Sequence, residues 1–161
     1  MQVELARAHA RYNHWMNEKL YAAASELTDE QRTRDVGAFF KSLHLTLHHL
    51  LVADRIWLTR FDVPGVAVAG DVATSFDALR KARRVEDARI LSYVTSLDEA
   101  ALIAPLSYRN LRGEPFTHPQ WLALFHLFNH QTHHRGQATT LLMQLGKDPG
   151  VTDLIAFLRM P

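Results

Sequence analysis

Apolar side chains recur at three- and four-residue spacing over four long stretches, and that period leaves few architectures open. In the first stretch Leu5, Ala8, Tyr12, Trp15, Met16, Leu20, Ala23 and Leu27 keep the spacing and predict a helix over residues 2–26. Thr28, Asp29, Glu30 and the polar segment to Asp35 read as a connection. A second helix is expected over 37–61, apolar around much of its circumference as a buried helix must be. Pro64 and Gly65 break that pattern, and PGVAVAGDVAT reads as loop. Ser75 opens a third, charge-rich helix over 75–99. Residues 102–117 look irregular, with a short hairpin around 110–113 as the candidate turn. The fourth helix starts at Thr117 or His118, takes Pro119 into its first turn and runs to Leu145. Gly146 suits the C′ position after it, and residues 152–158 are expected as a short closing helix. No convincing strand set accompanies these helices. The expectation is an all-α chain: one domain over 1–161, an antiparallel four-helix bundle with a short extra C-terminal helix.

Composition removes several functions. With 47% apolar residues in a chain of 161, the core needs no staple. There is no cysteine, hence no disulfide, no thiolate ligand and no protein thiol nucleophile, which fits a reducing, cytoplasmic setting. The opening MQVELARAHA carries Glu4, Arg7 and His9, unlike a secretory signal. The longest run free of Asp, Glu, Lys and Arg is 115–134, and its prolines, histidines and amides disqualify it as a membrane span. A formal charge of +1 gives no pull toward nucleic acid. The basic run RKARR at 80–84 is followed by Glu86 and Asp87, so it reads as a solvated helix face.

The anomaly is histidine. Of ten in the chain, seven fall within 44–49 and 126–134. On a helical wheel centred on His134, the side chains of His130, Leu127, Ala138, Leu141 and Leu145 lie within about 40°. That places His130 and His134 on the stripe expected to face the core, with His133 on a more polar side. Residues four apart have Cβ atoms ~5–6 Å apart, so the 126/130 or the 130/134 pair suits one ion, while 126 and 134 are too far apart. In the second helix His49 aligns with Ala38, Leu45, Ala53 and Ile56, and His44 and His48 point elsewhere. Asp54 falls about 140° from His49 and is not expected to share its ligand; an ion pair with an arginine such as Arg135 would suit it. Facing stripes would bring His49, His130 and His134 together as three imidazoles with an open fourth position. Two readings stay open at this point: an open metal site, or a hydrogen-bonded core cluster. Gln137 is a candidate for lining the site, while His48 and His133 read as rim residues. Gly136, inside the fourth helix, is expected to permit close helix approach.

Other chemistries lack their motifs. No Glu-x-x-His pair suits a di-iron centre, and His-Glu-x-x-His, the phosphate-cradling glycine loops and Gly-x-Ser-x-Gly are absent.

NHQTHHRGQ in the fourth helix, HHLLVADRIW in the second, RYNHWMNEKL in the first and the closing GKDPGVTDLIAFL together resemble the DinB family of DinB/YfiT-like metalloenzymes. The resemblance covers nearly the whole chain. It implies a four-helix bundle, often dimeric, holding a divalent transition metal such as zinc or nickel. By motif the ligands it implies are His49, His130 and His134. It further implies a transferase or isomerase that uses a low-molecular-weight thiol cosubstrate on a small-molecule substrate; charge and hydropathy, as above, give no expectation of a nucleic acid or membrane partner. The alternative is a non-catalytic metal- or ligand-binding bundle of the stress response.

Overall fold

The computed structural model describes residues 2–66 and 75–160. Four long helices make the frame: α1 (Val3–Ser25), α3 (Leu43–Arg60), α4 (Phe76–Ser96) and α6 (Gln120–Gln144). Short helices α2 (Asp29–Thr33), α5 (Glu99–Ile103) and α7 (Leu154–Leu158) join or close them, and a β-hairpin of β1 (Pro105–Arg109) and β2 (Pro115–Pro119) precedes α6. The all-α four-helix bundle and its closing helix are present as expected.

The helices do not all run antiparallel. One apolar cluster joins the start of α1 (Val3, Ala6, Ala10), the end of α3 (Trp57, Leu58), the end of α4 (Ile90, Val94) and the start of α6 (Leu124, Leu127). The other joins the end of α1 (Leu20, Ala24), the start of α3 (Leu43, Leu47), the start of α4 (Phe76, Leu79) and the end of α6 (Ala138, Leu142). So α1 and α6 point one way and α3 and α4 the other, an up–down–down–up bundle in which α1 and α3 sit on a diagonal. The end of α3 and the start of α4 therefore lie at opposite ends of the bundle. The PGVAVAG stretch expected as loop falls between them in sequence, but 67–74 lie outside the described residues.

Several boundaries moved for local reasons. The expected connection after α1 holds α2, because Thr28 and Gln31 form a reciprocal capping box. The second helix begins at Leu43 rather than 37. Ser42 is extended and its Oγ accepts from the Leu45 N–H. Before it, Lys41 holds φ +67° in a tight turn where its N–H donates to the Ala38 carbonyl. The third helix stops at Ser96, and Asp98 caps the separate α5. Residues 105–119 form the hairpin, in register from Pro105↔Pro119 to Arg109↔Pro115. Pro119 is thus the last strand residue and precedes α6 instead of joining its first turn, because pairing runs to the end of β2 and the Gln120 N–H donates to the Ala104 carbonyl. Gly146 takes φ +78°, and the Lys147 and Gly146 N–H groups donate to Leu142 and Met143, closing α6 as a Schellman motif. α7 docks on α1 through Phe157, whose ring lies 5.4 Å from Trp15 and 5.8 Å from Tyr12.

Between the two apolar clusters lies a buried charged layer. Arg83 bridges Asp54 (2.6 Å) and Asp87 (2.9 Å), Asn17 donates to Asp87, Gln131 donates to Asp54, and Arg135 donates to Asn13. The partner of Asp54 is thus Arg83, not Arg135. RKARR is not simply a solvated face either: Arg83 is 2% exposed, and Glu86 and Asp87 are buried beside it. Gly136 also differs from expectation. It is exposed, and a Cβ built there would meet nothing within 4 Å, so no helix approaches it.

Candidate metal centre

His49, His130 and His134 come together in the groove between α3 and α6. One nitrogen from each ring lies within 4.8 Å of the other two, and the Nε2 atoms of His49 and His130 are 3.2 Å apart. The ring centroids of His134 lie 4.5 Å from His49 and 4.3 Å from His130. Spacing explains the second pair, since residues four apart stack on one helix face. The bundle supplies the third ring by packing α3 against α6.

The cluster lies at the shoulder of the core rather than in its centre. The buried stripe of α6 runs through Leu124, Leu127, Gln131, Arg135, Ala138 and Leu142, and on α3 through Leu43, Leu47, Leu50, Asp54 and Leu58. His134 is buried, but His49 and His130 are only partly covered. The axis is occupied by the Asp54–Arg83 layer, which pushes the histidine stripe toward the groove. This leaves a path to solvent that a fully central site would lack.

The surroundings tune the imidazoles. Burial, reinforced by the neighbouring His134, lowers the pKa of both His49 and His130 to about 4, so both rings are neutral at neutral pH. A neutral ring is the form that can ligate. His134 Nδ1 donates to Gln137 Oε1 at 2.7 Å, which leaves the Nε2 lone pair of that ring free to face the cluster. Phe40, carried by the turn before α3, stacks on His49 at 4.1 Å and meets the edge of His134 at 5.4 Å. It covers one side of the group with apolar surface. The φ of Lys41 helps aim this residue, a feature invisible to hydrophobic periodicity.

The donor set suits a transition ion. A tetrahedral site with M–N bonds of ~2.0–2.1 Å separates two nitrogens by ~3.3 Å, close to the His49–His130 spacing. The same 3.2 Å approach is a hydrogen bond when one of the two Nε2 atoms carries a proton, and His130 Nδ1 is buried without a partner. Neither Asp54 nor any other carboxylate joins the group among the described residues.

The remaining histidines divide as follows. His133 is exposed at the rim with its ring 4.7 Å from His134, and His48 is half-buried nearby. His44, expected to point away from the core, is buried. His126 lies one turn before His130, with rings 5.9 Å apart. Two cavities flank the cluster. One, of about 280 Å³, is lined by Val36, Phe39, Thr46, Gln137 and Leu141. The other, of about 370 Å³, is lined by Trp57, Tyr108, His118, Phe125, His126 and Asn129. Sequence reasoning missed Phe40 and the second cavity, because one depends on a turn and the other on a hairpin folding back over α3.

Comparison with known proteins agrees with this architecture. The chain is 26% identical over 156 residues to Protein DinB of Bacillus subtilis (strain 168), covering 92% of this chain and 91% of that one. Its fold matches the crystal structure of a DinB-like protein from Bacillus cereus ATCC 10987 with a TM-score of 0.65, at 24% identity, over 84% of this chain and 90% of that one. The model of the DinB family matches residues 1–161, and the chain belongs to the DinB family.

Proposed function

We propose that the chain is a divalent-metal-dependent enzyme in which His49, His130 and His134 hold the ion, zinc or nickel. The observation that carries this reading is the convergence of three imidazole nitrogens, one from each ring, within 4.8 Å in a groove that reaches solvent, with His49 and His130 held neutral by burial. Three ligands leave a coordination position for water or substrate, the arrangement of a catalytic rather than a structural site. When bound, the ion supplies Lewis acidity and lowers the pKa of a water or thiol beside it.

The chain's own residues do the rest. Gln137 fixes the tautomer and plane of His134. Phe40 shields His49 and His134 from water on one side. The two flanking cavities offer room for a small-molecule substrate. With no cysteine in the sequence, any thiol must arrive as a low-molecular-weight cosubstrate, so thiol transfer or thiol-assisted isomerisation is the proposed reaction class. The same proposal takes 1–161 as one catalytic unit acting as a cytoplasmic homodimer. No helix among the described residues is long and apolar enough to cross a membrane.

The test is elemental analysis of the purified protein beside His49→Ala and His134→Ala, followed by a thiol-transfer screen with His130→Ala as control. About one ion per chain in the wild type, lost in both variants, is expected. No ion after reconstitution with zinc or nickel would overturn the metal centre. An ion without turnover across the screen would make the bundle a binding protein instead.

A further inference from the structure

The larger cavity beside the histidine cluster has a chemistry of its own. Its walls are aromatic: the Trp57 indole meets the Tyr108 ring edge-on at 5.3 Å and lies 5.0 Å from the His126 imidazole, and His118 lies 5.9 Å from Tyr108. Phe125, half exposed on α6, and the Asn129 amide complete it. Its volume of about 370 Å³ falls in the range of small-molecule sites. The elements that build it are separate in sequence: the end of α3, the hairpin and the first turns of α6.

A cation stacks on two of these wall residues without itself lining the cavity. The Arg60 guanidinium carbon lies 4.5 Å from the Trp57 ring centroid and 4.8 Å from that of Tyr108. No carboxylate among the described residues forms an ion pair with it, whereas Arg55, Arg83 and Arg89 each have one. Arg60 is partly buried, and burial lowers its pKa. Aromatic faces hold the guanidinium by cation–π attraction but leave its N–H donors open for an oxyanion.

We propose that this cavity binds an organic carboxylate with a planar apolar body, the body lying against the wall that the mutually contacting Trp57, Tyr108 and His126 rings form and the carboxylate reaching Arg60. Flat rings favour a flat occupant through offset stacking. Arg60, with no carboxylate partner among the described residues, selects an anion over its neutral counterpart, because a charge-assisted hydrogen bond is about twice as strong as a neutral one. His126 links this cavity to the metal centre, its ring lying 5.9 Å from that of His130 one helical turn on. As a substrate, the anion depends on the metal-dependent reading above; as a ligand, it does not.

The experiment uses 2-naphthoate and the neutral 2-naphthalenemethanol as probes, with affinity measured by calorimetry and location by NMR. Naphthoate is expected to bind the wild-type protein and to shift the Trp57 indole and His126 ring signals. The alcohol is expected to bind about tenfold more weakly, and Arg60→Met to remove the preference for the anion. His49→Ala should leave naphthoate affinity within about twofold, which separates failure of this site from failure of the metal centre. No binding of naphthoate at millimolar concentration, equal affinities for acid and alcohol on the wild type, or full affinity in Arg60→Met would each overturn the proposal. The acid–alcohol comparison needs no variant, so it decides the matter even if Arg60→Met folds poorly.

Discussion

At the scale of single residues, the centre depends on imidazoles kept neutral and aimed. Gln137 is the side chain that aims His134, through the 2.7 Å contact to Nδ1. Gln137→Ala should weaken zinc binding about tenfold or more, the usual cost of losing such a support, as read by competition with a chromophoric chelator. The protein should otherwise fold as before, since Gln137 is only partly buried. Acid should act on the metal-free protein through His49 and His130. Their folded pKa values of about 4 lie below the unfolded value near 6.5, so the unfolded chain takes up protons first as pH falls. Stability is therefore lost between about pH 6.5 and 4 and levels off below. Asp87, pushed up to about 6 by burial against the pull of Arg83, works in the opposite direction. Urea unfolding of metal-free wild type and His130→Leu across this window isolates the histidine part. The wild type should lose more stability on acidification than the variant.

At the scale of elements, helix ends and interiors carry their own tests. Gly136 is exposed inside α6 with open space where a Cβ would stand, so nothing there offsets the intrinsic cost of glycine in a helix. Gly136→Ala should raise stability by about 0.5–1 kcal/mol in denaturant unfolding. Ser42 has the opposite role. It caps α3 just after the turn that places Phe40 on His49, so Ser42→Ala should cost about 1 kcal/mol and loosen the cover of the centre together. The helices themselves were legible from periodicity, and Gly146 from its position after the last apolar residue. The start of α3 was not. Ala38, Phe39 and Phe40 continue the apolar pattern, and only the turn at Lys41 takes them out of the helix. The Thr28–Gln31 capping box was present in the sequence as a legible signal, yet it opens a helix too short to show a period.

At the scale of the whole molecule, the buried Asp54–Arg83–Asp87 group fixes how four helices meet. Removing one member of a buried pair strands the remaining charges, so Arg83→Ala should cost about 3–5 kcal/mol in urea unfolding. The double variant that also replaces Asp54 by Leu should recover part of that loss, because fewer buried charges are then left unpaired. This layer is also why the histidine cluster sits in a groove. Asp54 and Gln131 occupy the positions nearest the bundle axis, and His49 and His130 are displaced one step around their helices.

Sequence alone determined what depends on local spacing. The helical period set the four long elements, and the four-residue interval between His130 and His134 placed two imidazoles on one face whatever the rest of the chain did. The single wheel position of His49 was enough to nominate it as the third. Tertiary structure decided what depends on which face meets which. The direction of α3 and α4, the choice of Arg83 over Arg135 as the partner of Asp54, the burial of a run that reads as solvated, and the cavity lined by Trp57, Tyr108 and His126 all join residues far apart in the chain. A one-dimensional pattern encodes how polar a face is. It does not encode the partner that can make a buried charge affordable, and in this bundle that partner set the position of the site.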